Sequence, residues 1–446
     1  MRTIHEPARE TQVYDEVEVL VVGSGPAGHS AAMAASRAGV GRVGLVERFN
    51  HLGGMPTGGY VVYIPSLGYE PDIWRIYGIQ KEWVERLKAH GGDSLIQPPE
   101  EDVGSRDPQR IHHWKSYFGF IISGMVSNSI DADPDMLKVV LDEMIEDENG
   151  RIIPYMQCWG VDAVMDGDTI RGVVIESKEG RRAIMAKVVI DATGDGDIAA
   201  FAGCDYEDDW DPAIRSSNLA SCFRLGGVDF RKYADFKADL SAEELNKLNR
   251  GFKAMHGAFG PNAMARNDQA WINTAWLGSC MKIADLTKHD RDMRLCMEDY
   301  LKYVRQFPGM ENAYLLDMAP QSGTRGGRRI LCEYTLTSEE FEAPVHHEDV
   351  VMVTGRYTDR LHAPAYVPYR TMVPKQAENL LVTGRAYSST AKANDSANVI
   401  PHCVIMGQAA GIAAAIAIAD GVKTRDISIA KLHEEMRRQD MYVPEN

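Results

Sequence analysis

The chain has 446 residues, of which 44% are hydrophobic and 25% charged, and its formal net charge at pH 7 is −16. This length provides an interior for about two or three domains, and the acidic balance argues against nucleic acids and anionic membranes as partners. No apolar run reaches the roughly eighteen residues of a membrane span, the first residues lack the apolar core of a signal peptide, and the seven cysteines form no C-x-x-C pair. We therefore expect a cytoplasmic protein with reduced thiols.

A dinucleotide-binding fingerprint lies near the start of the chain. The apolar run 17–22 leads directly into G-x-G-x-x-G at residues 23–28, a helical stretch over 29–38 follows, and a second apolar run, 43–46, ends at Glu47. This order of strand, glycine turn, helix, strand and carboxylate is typical of dinucleotide-binding proteins. The turn and the helix N-terminus approach the pyrophosphate, and the carboxylate accepts hydrogen bonds from the ribose hydroxyls. We therefore predict dinucleotide binding here.

A loop and two helices are predicted next. Residues 51–59 contain too many glycines for a helix or a strand. Apolar residues four positions apart indicate a helix over 79–90. The pair Asp133-Pro134 is typical of a helix start and opens a helix over 136–146.

A β-meander follows, with strands at 152–164, 169–177 and 181–190 separated by turn residues. Its last strand runs into a second glycine turn at residues 191–197, which predicts another contact with the dinucleotide. A short helix of small residues then extends to Gly203.

From residue 205 to about 375 the chain is rich in aromatic, Met and His residues, and its periodicity is neither helical nor alternating. We interpret this part as an inserted substrate domain, with Trp271, Trp276 and Tyr300 in its core. Beyond it, a strand ends in glycine within 379–385, a buried Ala-rich helix begins at Met406, and an amphipathic helix covers 429–439.

Five motifs together resemble FAD-dependent oxidoreductases of the glutathione-reductase-like superfamily, in the branch of succinate dehydrogenase and fumarate reductase flavoproteins. They are residues 23–28 with Glu47-Arg48, residues 53–58, residues 191–197, residues 325–330, and residues 369–411. The resemblance implies an α/β fold: a Rossmann-like FAD-binding domain, split in sequence into residues 1–204 and 376–446, with an inserted mixed α/β cap domain at 205–375.

The resemblance also implies which residues contact FAD. The pyrophosphate contacts are Gly23, Ser24, Gly25, Pro26, Ala27 and Gly28; the adenosine contacts are Glu47, Arg48, Trp159, Gly160, Thr193, Gly194 and Asp195; and the ribityl and flavin contacts are Gly53, Gly54, Met55, Thr57, Gly58, Gly384, Arg385, Val399 and Ile400. Two positions depart from the pattern: Asn394 stands where fumarate reductases place an arginine that donates a proton, and His51 does not have the spacing of their flavin-attachment histidine. Non-covalent FAD is therefore expected, and fumarate reduction is not.

The substrate would also exchange a proton, and the expected catalytic residues belong to the cap and the C-terminal segment. They are Arg325, His362, Tyr369, Arg370, Asn398 and His402. His402 follows Asn398 by four residues, so both would share one face of a helix and suit the oxidation of an alcohol; the alternative is a capping or core histidine. Arg325 would clamp a carboxylate or tie the cap to the FAD domain.

The preferred function is hydride transfer between flavin N5 and a small polar substrate, either an alcohol, a polyol or a carboxylate. Electrons would be exchanged with oxygen, a quinone or a carrier, because the sequence has no second dinucleotide fingerprint. A flavin-dependent monooxygenase and a non-catalytic flavoprotein subunit are the alternatives. No ligand spacing predicts a metal site, and a homodimer is the commonest oligomer.

Overall fold

The computed structural model describes residues 2–5, 7–65, 76–354 and 365–444. The helices are α1 Pro26–Arg37, α2 Gly78–Ala89, α3 Pro108–Trp114, α4 Pro134–Glu146, α5 Asp197–Phe201, α6 Phe230–Ala238, α7 Ala242–Lys253, α8 Ile283–Leu295, α9 Met297–Val304, α10 Ala391–Ser396, α11 Ile400–Asp420 and α12 Ile429–Arg438. The strands are β1 Val13–Val22, β2 Val43–Glu47, β3 Tyr63–Ile64, β4 Leu95–Ile96, β5 Ile121–Ile122, β6 Met125–Val126, β7 Ile130–Ala132, β8 Ile152–Met156, β9 Trp159–Asp166, β10 Thr169–Ser177, β11 Gly180–Asp191, β12 Tyr206–Glu207, β13 Asn218–Ala220, β14 Phe223–Gly226, β15 Asn262–Ala263, β16 Gln269–Ile272, β17 Trp276–Leu277, β18 Tyr314–Met318, β19 Gly323–Thr324, β20 Arg329–Ile330, β21 Val350–Thr354, β22 Ala365–Pro368 and β23 Leu380–Val382.

The main sheet has the strand order β8-β2-β1-β11-β10-β9, and β23 also pairs with β11. Strands β8, β2, β1, β11 and β23 run parallel, whereas β11, β10 and β9 form the antiparallel meander. Strand β2 is buried along its whole length, as expected when helices cover both faces of a parallel sheet. The α/β fold with a Rossmann-like core is confirmed.

The predicted strand 152–164 is wrong, because the chain forms two strands there. Gln157 has a φ of +58°, and this left-handed residue turns the chain between β8 and β9. Strand β8 then pairs parallel with β2, and only β9 joins the meander.

Helices α1 and α11 pack closely against each other on one face of the main sheet. A Cβ atom on Gly407 would lie 2.0 Å from the carbonyl oxygen of Ala27, and one on Gly411 would lie 2.2 Å from that of Ala31. Helix α11 begins at Ile400, six positions before the predicted start, and proline occupies its first turn. Among the described residues it is the one helix whose length and composition would suffice to cross a membrane, but it lies mostly buried in the core of the fold.

The cap contains two antiparallel sheets, β17-β13-β19 and β15-β16-β14-β18, with helices α6 to α9 around them. Phe223, Phe252 and Tyr300 lie at the centre of its own hydrophobic core. The expected boundary at residue 375 does not follow the packing, because residues such as Leu336, Val351 and Met372 belong to the core around α1 and α11.

An ion-pair network joins the cap to the FAD domain. The guanidinium of Arg224, on β14, lies 2.9 Å from Asp317 of the cap, 3.3 Å from Asp133 and 3.2 Å from Asp135. Asp133 is the N-cap of α4 in the FAD domain. Burial opposes the charge of Arg224, but these carboxylates raise its pKa above the ordinary value, so the arginine stays charged in the interface.

Candidate active site

A cavity of about 710 Å³ lies between the main sheet and the cap. Its fingerprint wall comes from the carboxyl ends of the parallel strands and from the glycine turns; it consists of Gly23, Gly25, Pro26, Ala27, Glu47, Arg48, Trp159, Gly160, Thr193, Gly194 and Asp197. The opposite wall is called the cap wall below because most of its residues belong to the cap. It consists of Tyr63 and Phe118 from the N-terminal part of the chain and of the cap residues Arg215, Asn218, Phe259, Trp271, Asn273, Ala275, Gln321, Thr324 and Arg325. Between the two, Gly54, Met55, Gly384, Arg385, Asn398, Val399, Ile400 and Cys403 also line the cavity.

The first glycine turn has no room for side chains on two of its three glycines. A Cβ on Gly23 would lie 2.5 Å from the carbonyl oxygen of Ala192, and one on Gly28 would lie 1.6 Å from that of Gly23. A Cβ on Gly25 would meet nothing within 4 Å, because Gly25 faces the cavity. Gly25 is the N-cap of α1 and no side chain caps that helix, so its N-terminal N–H groups are placed to bind an anion.

Glu47 holds the turn and faces the cavity at the same time. Its Oε2 accepts hydrogen bonds from the backbone N–H of Ser24 at 2.9 Å and from its hydroxyl at 2.6 Å, and its Oε1 accepts from the N–H of Phe49 at 2.9 Å. Beside it, the guanidinium of Arg48 lies 5.1 Å from the centre of the Trp159 ring. A carboxylate and a flat aromatic surface with a cation on it thus meet at one place in the fingerprint wall.

Arg385 connects the C-terminal segment to both walls. Its Nε donates to the carbonyl oxygen of Gly194 at 2.8 Å, its Nη2 to Asp195 at 2.6 Å, and its Nη1 to the hydroxyl of Thr324 at 2.8 Å. Asp195 therefore pairs with Arg385 and does not line the cavity. The second glycine turn is stabilised by buried Asp191, which accepts from the N–H of Ala199 at 2.9 Å; burial raises its pKa to about 6.

Several predicted cofactor residues shape the turns without reaching the cavity. The hydroxyl of Thr57 donates to the carbonyl oxygen of Leu52 at 2.6 Å, and a Cβ on Gly58 would lie 2.3 Å from the ring of His51. The predicted residues outside the lining are Ser24, Gly28, Gly53, Thr57, Gly58 and Asp195. They support the backbone that the remaining residues present to the cavity.

Three expected catalytic residues lie outside the cavity. His402 is 1% exposed, its Nδ1 accepts from the N–H of Val399 at 3.2 Å, and its Nε2 contacts the hydroxyl of Thr354. It therefore caps α11, and because α11 begins at Ile400, Asn398 precedes the helix and does not share a face with it. In these contacts His402 does not line the cavity.

Tyr369 and Arg370 are also engaged elsewhere. The hydroxyl of Tyr369 donates to the carbonyl oxygen of Thr424 at 2.7 Å, and Nε of Arg370 lies 3.0 Å from Asp349. His362 lies outside the described residues. Among the expected catalytic residues in the described part of the chain, only Arg325 and Asn398 line the cavity.

The cap wall combines aromatic rings with a polar group of side chains. The indole N–H of Trp271 donates to the carbonyl oxygen of Tyr60 at 2.8 Å, so the ring is fixed in the wall as well as packed in the cap. Nη2 of Arg325 donates to the carbonyl oxygen of Thr274 at 3.1 Å, and Nδ2 of Asn398 donates to that of Arg325 at 3.0 Å. Arg215 contacts Asn398 and donates to the carbonyl oxygen of Asp395 at 2.9 Å.

Most of the cap wall was missed by the sequence analysis. The missed residues are Tyr63, Phe118, Arg215, Asn218, Phe259, Trp271, Asn273, Ala275, Gln321 and Thr324, of which Trp271 was expected only in the cap core. One signal could have found Asn273: residues 271, 273 and 275 alternate with residues that do not line the cavity, and a strand places alternate side chains on one face.

The model of the family described as FAD dependent oxidoreductase matches residues 18–436. The chain belongs to this family. It is therefore an FAD-dependent oxidoreductase, and the backbone turn at Gly25, the carboxylate of Glu47 and the helix N-terminus of α1 fit that cofactor. No curated protein matches the oxidoreductase.

Solved structures similar to the oxidoreductase have low identity. A geranylgeranyl bacteriochlorophyll reductase-like protein from Thermoplasma acidophilum has 14% identity and a TM-score of 0.46, over 95% of this chain and 83% of that chain. p-Nitrophenol 4-monooxygenase PnpA from Pseudomonas putida DLL-E4 has 12% identity and a TM-score of 0.47, over 96% and 91%. A flavoprotein/dehydrogenase from Cytophaga hutchinsonii has 13% identity and a TM-score of 0.47, over 95% and 83%.

Proposed function

We propose that this oxidoreductase transfers a hydride between FAD and a small carboxylate that has an apolar body. The observation that carries the proposal is the composition of the cap wall, where the rings of Tyr63, Phe118 and Trp271 line the same cavity as Arg215 and Arg325. Guanidinium groups bind carboxylates, and the aromatic rings can pack against an apolar body. Of the substrates expected from the sequence, the carboxylate therefore fits best.

The fingerprint wall would hold the adenosine and pyrophosphate parts of FAD, through Glu47, Arg48 and the N-terminus of α1. The flavin end would lie by Met55, Val399 and Ile400, where the cap wall begins. When bound, FAD supplies hydride transfer at its N5 atom. The residues of the cap wall would exclude water and orient the substrate against that atom.

The two arginines differ in how they are held. Arg325 donates to the carbonyl oxygen of Thr274 within the cap, whereas Arg215 contacts Asn398 and Asp395 of the C-terminal segment. The guanidinium of Arg325 is thus hydrogen-bonded to the cap at Thr274, and Arg215 joins the cap to the segment at the flavin end. We assign carboxylate binding to Arg325 and the closure of the cavity to Arg215.

The test is an anaerobic titration of the purified protein, followed by loss of the yellow flavin absorbance. The compounds are pairs that differ only in the carboxylate: 2-hydroxy acids with the matching alcohols, and aryl-alkyl acids with the matching amides. We expect bleaching by at least one acid and not by its uncharged partner. Equal bleaching by both members of every active pair would contradict the assignment of a carboxylate.

A flavin-dependent monooxygenase is the second candidate, and the aromatic part of the cap wall is the observation that favours it. Such an enzyme would need an external reductant, and the flavin would not be bleached by the substrate alone. Oxygen uptake with NADPH that rises when phenols are added, with an atom of labelled dioxygen in the product, would select this candidate. A protein that holds FAD but responds to neither set of compounds would be a non-catalytic flavoprotein.

We keep three further expectations as part of the proposal: non-covalent FAD, a cytoplasmic location and a homodimer. The release of yellow colour on acid precipitation tests the first of these. Colour that remains in the pellet would instead point to a covalent link. Membership of the succinate dehydrogenase and fumarate reductase branch rests on the sequence motifs alone.

A further inference from the structure

Asn273 is a polar residue in an otherwise apolar row of the cap wall. It follows strand β16, and together with Trp271 and Ala275 it lines the cavity. The alternate residues have other partners: Thr274, for example, accepts from the N–H of Ser221 at 2.7 Å. Asn273 is 7% exposed, so its amide is largely shielded from bulk solvent.

The hydrogen bonds of Asn273 define which way its amide points. Its Oδ1 accepts from the N–H of Thr274 at 2.8 Å, from Nη2 of Arg325 at 3.4 Å and from the thiol of Cys222 at 3.6 Å. All three partners are donors, so this atom is the oxygen of the amide. The Nδ2 group must then occupy the other position.

The Nδ2 group of Asn273 has no acceptor among residues 2–5, 7–65, 76–354 and 365–444. It is also absent from the buried polar atoms of that part of the chain that lack a partner, which means that it is open to the cavity that Asn273 lines. A donor in a shielded site is costly unless a ligand or water accepts from it. The cavity is therefore lined by an N–H donor that can bind an oxygen atom of a ligand.

We propose that Nδ2 of Asn273 and the guanidinium of Arg325 form an oxyanion-binding pair that selects the carboxylate of the substrate. The proposal rests on the proposed function and names its specificity determinant. The same Oδ1 that fixes the amide also accepts from Arg325, so one residue orients both groups of donors. An oxygen between them receives a charge-assisted bond from Arg325 and a neutral one from Asn273.

The pair also explains why an amide, and not a carboxylate, is needed at position 273. A carboxylate there would still accept from Thr274 and Arg325, but it would offer only acceptor atoms to the cavity. It would also neutralise Arg325. The site would then prefer a cation with N–H donors over an anion.

The test is the Asn273→Asp variant, which keeps the size and the acceptor side of the residue and removes its donors. Binding of acetate, benzoate and benzamidine to the oxidised, FAD-loaded protein is measured by equilibrium dialysis and by the change in the flavin spectrum, so no turnover is required. We expect benzoate to bind on the order of 10- to 100-fold more weakly and benzamidine more tightly than to the wild-type protein. If Asn273 only supported the fold, its replacement by Asp would not change the preference of the cavity from an anion to a cation.

The control is Asn262→Asp, which adds the same charge to the neighbouring strand. Asn262 pairs with Trp271 across the sheet, its Nδ2 donates to the carbonyl oxygen of Gly260 at 3.1 Å, and it does not line the cavity. We expect this variant to bind both probes as the wild-type protein does. Should Asn273→Asp lose its FAD, Asn273→Ser is used instead, and it must weaken benzoate binding with FAD retained.

Unchanged benzoate binding in the Asn273 variants would overturn the proposal, as would the lack of any binding of acetate and benzoate to the wild-type protein. Equal losses in the Asn262 control would also overturn it. The proposed function fails separately: if benzoate binding depends on Asn273 but no carboxylate bleaches the flavin, the oxyanion pair stands and the reaction has been assigned wrongly.

Discussion

The fingerprint wall of the cavity is made mainly of backbone, whereas the cap wall is made of side chains. At Gly25 and the N-terminus of α1, the groups placed to bind an anion are N–H donors whose positions follow from the turn. In the cap wall, Trp271, Asn273 and Arg325 act through their side chains, each held by hydrogen bonds to another segment or strand. A backbone site tolerates few residue types at each position, while a side-chain site can change its ligand by single substitutions.

The largest effect is expected from a substitution that disrupts the fingerprint wall. Gly28→Ala would place a Cβ 1.6 Å from the carbonyl oxygen of Gly23, so α1 must move away from the sheet, at about 3 kcal/mol or more. We expect loss of FAD on gel filtration and a lower melting temperature. Gly25→Ala is the matched control: its Cβ meets no protein atom within 4 Å, so the fold should persist while FAD binds more weakly. Equal melting temperatures for the two variants would show that the turn is not constrained as described.

The next largest effect is expected from a substitution in the cap wall that leaves the fingerprint wall unchanged. Arg325→Met should lower kcat/KM for a carboxylate substrate on the order of 10- to 100-fold, because a charge-assisted bond is lost, and should leave the FAD content unchanged. Arg325→Lys should recover only part of this loss, since a lysine cannot present the planar fork of an arginine. A loss of FAD in Arg325→Met would instead assign this arginine to the cofactor.

A smaller effect is expected at the ion-pair network between the cap and the FAD domain. Arg224→Met removes the cation that Asp133, Asp135 and Asp317 share. We expect a loss of roughly 1–3 kcal/mol in the free energy of unfolding, less than for a fully buried pair, because these carboxylates keep some access to solvent. Chemical denaturation measures it. A second, separate unfolding transition would show that the cap unfolds independently of the FAD domain. An unchanged denaturation midpoint would contradict the prediction that Arg224 stabilises the interface between them.

The smallest effect is the response of each half to acid. Burial lowers the pKa of His29 in α1 to about 4, and it also lowers that of His289 in the cap to about 4. Both are neutral in the folded protein, and both take up a proton on unfolding below their ordinary pKa of 6.5. Stability is therefore fully present above pH 6.5 and is lost as the pH falls toward 4, by roughly 1–2 kcal/mol per histidine at pH 5.

Melting curves between pH 7 and pH 5 check this response. His289→Gln should reduce the pH dependence of the stability of the cap, and His29→Gln should reduce that of the FAD domain. In the cap, protonation would also disturb the contact of His289 with Ser221 at 2.9 Å and with His256 at 3.1 Å. An unaltered slope in both variants would mean that other groups govern the loss of stability in acid.

The fingerprint wall could be predicted because each of its parts is local in sequence. Gly23, Gly25 and Glu47 lie within one β-α-β unit, and their roles depend on a turn and on a parallel pair of strands. Helix bounds were also close where capping residues stand, as at Asp133 before α4. The exceptions were local signals of another kind, such as the left-handed Gln157 that divides a predicted strand.

The cap wall could not be predicted, because it brings together residues far apart in the chain. Tyr63, Arg215, Asn273 and Arg325 meet only after several short strands have paired. His402 shows the opposite case: four residues from Asn398 in sequence, it turns into the protein because α11 begins between them.

The sequence by itself therefore determined the α/β fold, the FAD fingerprint and the family, since these depend on short motifs whose backbone geometry is nearly independent of the rest of the chain. Only the tertiary structure decided which side chains face the substrate. The reason is physical: whether a side chain lines a cavity depends on where a helix starts and on strand register, and a shift of one residue in the register of a strand reverses the face on which the side chain lies.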